Sequence, residues 1–105
     1  MTITTTNIIE GRPVQQYMGI INAQSIIGAN IFKDFLGSLR DVFGGRSKTY
    51  EKVLEQAKED ALRELAEKAQ QMGANAIIGV DLDFETVGSG GSMLMVIATG
   101  TAVRI

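Results

Sequence analysis

Residues 49–105 read TYEKVLEQAKEDALRELAEKAQQMGANAIIGVDLDFETVGSGGSMLMVIATGTAVRI, and the change of period inside this stretch decides the fold. Up to Met72 the apolar residues recur at helical spacing. Tyr50, Val53, Leu54, Ala57, Ala61, Leu65, Ala69 and Met72 make one stripe, widened by Leu62 and Ala66. The spacing predicts a helix over Tyr50–Met72, with Thr49 as its N-cap and Gly73 at the left-handed C-cap position. Such a helix is roughly 35 Å long. Glu59 with Arg63 and Glu64 with Lys68 are oriented as i,i+4 ion pairs. Pairs of this kind contribute only tenths of a kcal/mol, so packing must hold the helix.

Past Gly73 the period becomes two. Residues 75–86 and 92–104 read as long strands joined by Val87-Gly88-Ser89-Gly90-Gly91. In the first strand, strict alternation sends Ala76, Ile78, Val80, Leu82 and Phe84 toward the helix, and Ile77, Gly79, Asp81, Asp83 and Glu85 away from it. In the second, Met93, Met95, Ile97, Val103 and Ile105 share one face, and Leu94, Val96, Ala98 and Ala102 the other. A strand apolar on both faces is buried on both faces. One helix covers one side, so the pattern calls for further cover from copies of the same chain.

Upstream, Ile3–Ile9 is expected as a short strand and Glu10-Gly11-Arg12-Pro13 as a turn. Val14–Ala23 follows as a strand, with Tyr17, Ile21 and Ala23 on one face and Met18 and Ile20 on the other. Residues 24–30 fit either reading. Ile31, Phe32, Phe35, Leu36, Leu39 and Phe43 predict a short helix over Ile31–Phe43, ended by Gly44-Gly45. The expected fold class is α+β: one domain over residues 1–105, with a small antiparallel sheet packed on one long helix plus a short helix.

Composition narrows the chemistry. The 105 residues contain no cysteine and no histidine, and the net charge is −2. That leaves no disulfide framework, no thiol nucleophile, no imidazole base and no thiolate or imidazole metal ligand. The charge is not the footprint of a nucleic-acid binder. The longest apolar run, 93–98, is too short to span a bilayer, and the N-terminus shows no signal-peptide pattern, so a cytoplasmic location is expected. No catalytic constellation emerges, since no serine or threonine has a histidine to activate it. The chain reads as a non-enzyme.

Three features offer themselves as binding sites. Asp81, Asp83 and Glu85 lie at i, i+2 and i+4 of one strand face, with neighbours about 7 Å apart. One chain cannot close them round an ion, but several subunits together could form an oxygen site for a divalent metal. Equally, they read as a solvated strand face whose charges discourage edge pairing. Arg46 and Lys48, beside Arg40 and Lys52 before the long helix, suit a small anion at a helix N-terminus; the plain reading is a loop and a cap. The spacing is not that of a P-loop, because Val42 and Ser47 stand where glycines are required. Lys58 and Lys68 fall within the apolar stripe, where a fully buried lysine could serve as a base; the plain readings are snorkelling, pairing with Glu51, Glu55 or Glu64, or a bridge between subunits. No cofactor is called for beyond that divalent ion.

Four segments, taken in order along nearly the whole chain, resemble the YbjQ-like family, catalogued as heavy-metal-binding. They are Tyr17-Met18-Gly19-Ile20-Ile21, Phe43-Gly44-Gly45, Met72-Gly73-Ala74-Asn75-Ala76-Ile77-Ile78-Gly79-Val80 and Ala98-Thr99-Gly100-Thr101-Ala102-Val103. The resemblance implies a dodecin-like unit assembled through its strands into a homopentameric ring, with no established activity. It transfers no metal-binding residue. The function expected on these grounds is a homo-oligomeric binding or scaffold protein whose contacts involve Met93, Met95, Val96, Ile97 and Val103. The alternative is a metal-ion or small-anion binding module with sites where subunits meet.

Overall fold

The computed structural model describes residues 1–28, 42–43, 46–91 and 93–105. Its long helix, α1, spans Lys48–Gln71, starting two residues before the expected first turn, so Thr49 lies inside it rather than capping it. The C-terminal end is as the glycine predicts. Gly73 has φ +86°, its N–H donates to the Gln70 carbonyl, and the Ala74 N–H donates back to Ala69. These two bonds make a Schellman motif, which a left-handed residue closes without strain.

The described residues form six strands before and after the helix in sequence: β1 (Thr2–Ile3), β2 (Gln16–Ile27), β3 (Val42–Phe43), β4 (Arg46–Ser47), β5 (Ala76–Val87) and β6 (Met93–Arg104). The main sheet has the order β1-β5-β6-β2, and β3 pairs with β4. The short helix expected over 31–43 lies outside the described residues except at its end, where Val42–Phe43 is a strand instead. The sheet is mixed rather than antiparallel, because β1 runs parallel to β5. That strand holds two residues and not the seven of Ile3–Ile9. The chain leaves the edge after Thr6, whose carbonyl accepts from the Gly79 N–H, and turns where the Arg12 N–H donates to Ile9. Conversely, β2 runs on to Ile27 through residues that fitted either reading.

Small side chains set the distance between the layers. Ala57, Ala61, Leu65 and Ala69 of α1 pack on Ala23 of β2 and on Leu94, Val96, Ala98 and Ala102 of β6, all within one buried cluster. Fully buried Leu65 is the largest helix residue there, flanked by partly buried Val53, Leu54 and Leu62.

Two bulges break the expected alternation. In β5, Ile78 pairs with Thr101 and Asp81 with Thr99, so Gly79 and Val80 together oppose Gly100. Gly79 takes φ +61°, the left-handed conformation such a bulge uses. Ile77 and Val80 therefore both face the helix, while Ala76 and Ile78 join Val103 on the other side. This corrects the single-face assignment of Ala76, Ile78 and Val80. In β2 the register shifts between Tyr17 and Gly19. The shift turns Met18 to the helix side and Tyr17 away from it, the reverse of strict alternation.

Candidate functional site

The sheet surface away from α1 is built in cross-strand rows. Beyond the bulge, Asp81 stands opposite Thr99, Asp83 opposite Ile97, Glu85 opposite Met95 and Val87 opposite Met93. On the other flank of β6, Ile20 faces Thr101, Asn22 faces Thr99, Gln24 faces Ile97 and Ile26 faces Met95. An apolar stripe, Met93-Met95-Ile97, thus runs between a carboxylate row on β5 and an uncharged row on β2.

Cover on this surface is uneven. At one end Ile9 and Val14 of the N-terminal segment pack on Ala76, Ile78 and Val103. Toward the other end nothing among the described residues plays that part. Ile20 is 81% exposed, Tyr17 69% and Ile26 58%. Met93, Met95 and Ile97 are half-buried, flanked by β5 and β2. Val96 and Val103 are fully buried by the chain itself, Val96 under the helix and Val103 under the N-terminal segment.

The three carboxylates share one row but do not converge. Asp83 titrates above its ordinary value of 3.8, chiefly through the like charge of Asp81, then through partial loss of hydration, a hydrogen bond with Asp81 and the charge of Glu85. Among the described residues no three acidic, histidine or cysteine side chains are placed to hold a metal ion. Arg46 lies in β4 and Lys48 opens α1, adjacent in the chain as expected.

The lysines of the stripe sit at its rim. Lys58 Nζ is 2.9 Å from Glu55 Oε1. Lys68 Nζ donates to the Asn22 carbonyl at 2.7 Å, and Glu64 is 3.9 Å away. Arg63 pairs with Asp60 at 2.8 Å instead of with Glu59. The loop after β5 turns through Gly88 and Gly90, both in the left-handed region at φ +84° and +67°.

Two features have no counterpart in the sequence reading. An open groove of about 340 Å³ runs between α1 and the β1–β5 edge, lined by Ile3, Leu62, Val80 and Leu82 with Thr4, Thr5 and Asp81. At the far end of α1, Met18 and Met72 cross. The Met18 Cε lies against Gly73 and the Met72 Cε against Gly19, at 3.7 and 3.9 Å from where a Cβ would stand. Glycine beside each methionine was the only local sign of that approach.

The described residues thus form a two-layer α+β unit in which one sheet face is packed under α1 and the other is only partly covered among those residues. The sequence profile of the YbjQ family, described as "Putative heavy-metal-binding", matches residues 1–105. The chain belongs to that family. It is 59% identical over 103 residues to a "UPF0145 protein" of Caulobacter vibrioides (strain NA1000 / CB15N), covering 98% of each chain. To a "UPF0145 protein" of Anoxybacillus flavithermus (strain DSM 21510 / WK1) it is 54% identical over 105 residues, or 100% of this chain and 98% of that one. A crystal structure from Pediococcus pentosaceus ATCC 25745, a protein of unknown function assigned to the DUF74 family, shares the fold. The TM-score is 0.67 at 22% identity, covering 100% of this chain and 97% of that one. None of these names indicates a catalytic function. No helix among the described residues is long and apolar enough to cross a membrane.

The family description implies a heavy metal, and the donor set tests it. Zinc, cadmium and mercury are held by thiolate and imidazole, and the sequence contains neither. The residues present do not fit a centre of that kind.

Proposed function

We propose that this chain is the subunit of a homo-oligomeric binding or scaffold protein, completed when copies cover one another's open sheet face. The observation that carries the reading is the apolar surface of exposed Ile20 and Ile26 beside half-buried Met93, Met95 and Ile97, which nothing among the described residues covers. Contiguous apolar surface on a folded chain marks an interaction site. The edges favour a second copy as the occupant. β2 is an edge strand of twelve residues without a charge or a proline, the devices that normally block edge pairing. At the opposite edge of the sheet, β1 stops at Ile3, and among the described residues β5 has no partner strand on that side from Asp81 onward. Since β2 and β5 both run antiparallel to β6, they point the same way. The β2 edge of one copy can therefore add parallel to the β5 edge of the next. A head-to-tail contact whose rotation closes gives a ring, and the family resemblance supports five subunits in it.

Native mass spectrometry of the full chain tests this, with the double variant Ile20→Lys/Ile26→Lys as control. Both side chains are exposed in the single chain, so the lysines leave its own core intact. The native chain is expected as one closed oligomer and the variant as a folded monomer with an unchanged circular dichroism spectrum. A monomeric native chain refutes the reading.

A further inference from the structure

We propose that Tyr17 of one copy anchors the junction between copies, its phenol seated in an open cavity at the β1 edge of the next. The inference rests on the assembly reading and deepens it by naming the anchor and its socket. The cavity has a volume of about 600 Å³ and is lined by Thr2, Thr4, Thr6, Ile8, Ile9 and Glu10.

The register puts anchor and socket in one row. Tyr17 pairs with Val103, Val103 with Ala76, and Ala76 with Thr2. Ala76 and Val103 lie on the sheet face away from α1, where Ile9 packs on them. Tyr17 and Thr2 therefore stand on that same face, at opposite edges of the sheet. When two copies join edge to edge in the same direction and without stagger, Tyr17 of one arrives at the Thr2 row of the next. The same alignment sets residues 22–27 of β2 against residues 81–86 of β5, the part of that edge which β1 does not reach. One junction thus uses the whole of β2. Its first residues meet the N-terminal segment and the rest extend the sheet.

The socket's chemistry selects a hydroxyl donor on an apolar body. Thr6 Oγ1 donates to the Ile8 carbonyl at 2.6 Å, so the 2.8 Å bond between the Thr4 and Thr6 hydroxyls takes its proton from Thr4. The Thr6 N–H donates to Thr4 Oγ1 at 3.1 Å. A hydroxyl has one proton and two lone pairs, so both protons are committed and one lone pair remains on each oxygen. These oxygens and the Glu10 carboxylate offer acceptors, while Ile8 and Ile9 form an apolar wall. A phenol matches both, with a ring for the wall and an O–H to give. Tyrosine is also among the residues that carry most of the energy at interfaces. In the single chain Tyr17 is 69% exposed and Ile8 72%, so each leaves apolar surface for the other to cover.

The test combines a protection measurement with a mutant cycle on the full chain. Tyr17 and Tyr50 are the two tyrosines, so nitration by tetranitromethane is assigned by peptide mass. Tyr17 is expected to react at least about tenfold more slowly in the native oligomer than in the monomeric Ile20→Lys/Ile26→Lys variant. Tyr17→Ala is expected to weaken subunit association roughly thirtyfold, measured by native mass spectrometry across a dilution series. Tyr17→Phe, which keeps the ring and loses the O–H, is expected to weaken it only severalfold. Ile8→Ala also weakens it, and combined with Tyr17→Ala the two losses are expected not to add, as for residues in contact. Both side chains are exposed in the single chain, so neither change disturbs its own core. A native oligomer whose Tyr17 reacts as fast as in the monomeric variant overturns the socket and leaves the assembly standing. Fully additive losses from Tyr17→Ala and Ile8→Ala do the same. A monomeric native chain overturns both.

Discussion

Gly100→Ala isolates the contact on which the β5 bulge rests. A Cβ at position 100 would stand 2.7 Å from Ile77 Cγ2, 3.1 Å from Val80 Cγ2 and 3.3 Å from the Ile78 carbonyl oxygen. Carbon atoms pack at about 3.5–4.0 Å, so the two methyl contacts are too close, and the carbonyl oxygen stands at the near limit of an ordinary C···O approach. None yields easily. Ile77 is fully buried, Val80 is 7% exposed, and the carbonyl belongs to the backbone. Overpacking of this kind costs about 1–3 kcal/mol. The lower entropy of the unfolded alanine chain offsets about 0.4–1 kcal/mol of that. At the middle of these ranges the net cost is about 1.3 kcal/mol, which at about 4–8 °C per kcal/mol for a domain near this size lowers the melting temperature by roughly 5–10 °C. Thermal unfolding followed by circular dichroism measures it, with protein concentration held fixed because assembly makes the midpoint concentration-dependent. The cause is separated by a double-mutant cycle. In an Ile77→Ala background the closest of the three contacts is gone, so Gly100→Ala is expected to cost clearly less there than in the native chain. A midpoint within about 1 °C of the native chain, or an undiminished cost in the alanine background, refutes the steric account.

Gly79→Ala tests the same bulge from the other side. Its added Cβ meets nothing within 4 Å, but φ is +61°, so the cost is conformational, about 1–2 kcal/mol, and Gly79→Asn is expected to cost less in urea unfolding. Asn75 clamps the chain end, its Nδ2 donating to the Ile105 carbonyl at 3.0 Å and its Oδ1 accepting from the Ile105 N–H at 2.8 Å. With two bonds at roughly 1 kcal/mol each, Asn75→Ala is expected to lose about 2 kcal/mol and to speed amide exchange at residues 103–105. Because Asp83 titrates above 3.8 when folded, the native state holds that proton more tightly than the unfolded chain. Its stabilising effect is present below the ordinary carboxylate value and is lost as pH rises through the raised one. Asp83→Asn is therefore expected to melt above the native chain at neutral pH and not in strong acid; equal midpoints at neutral pH contradict the repulsion from Asp81.

Much of this architecture can be read along the chain, and the misreadings share one cause. The helix announced itself through a stripe and a stop: Ala57, Ala61, Leu65 and Ala69 repeat every four residues, and Gly73 can take a conformation most residues avoid. The hairpin of β5 and β6 was equally plain. The faces near the bulges were not, because one extra residue inverts a period-two pattern and alternation cannot report an insertion. Gly19 and Gly79, glycines inside otherwise apolar strands, were the signal available. The acidic row survived the misreading, since Asp81, Asp83 and Glu85 lie beyond the bulge and still point away from the helix. Their neighbours did not follow from one strand alone. That Glu85 meets Met95, or that Met18 meets Met72, depends on pairing between distant segments, which a local reading does not supply.

The residue accommodated at Gly79 also determines where this strand tolerates a change in length. Removing it would leave Ile78 outward, Val80 inward and Asp81 outward, the order each already has, and would restore an ordinary ladder opposite Gly100. Removing Asp83 instead would turn Glu85 and Val87 toward the helix layer and Phe84 and Thr86 outward. A one-residue deletion is therefore nearly silent at one point of β5 and inverts the strand's end four positions later.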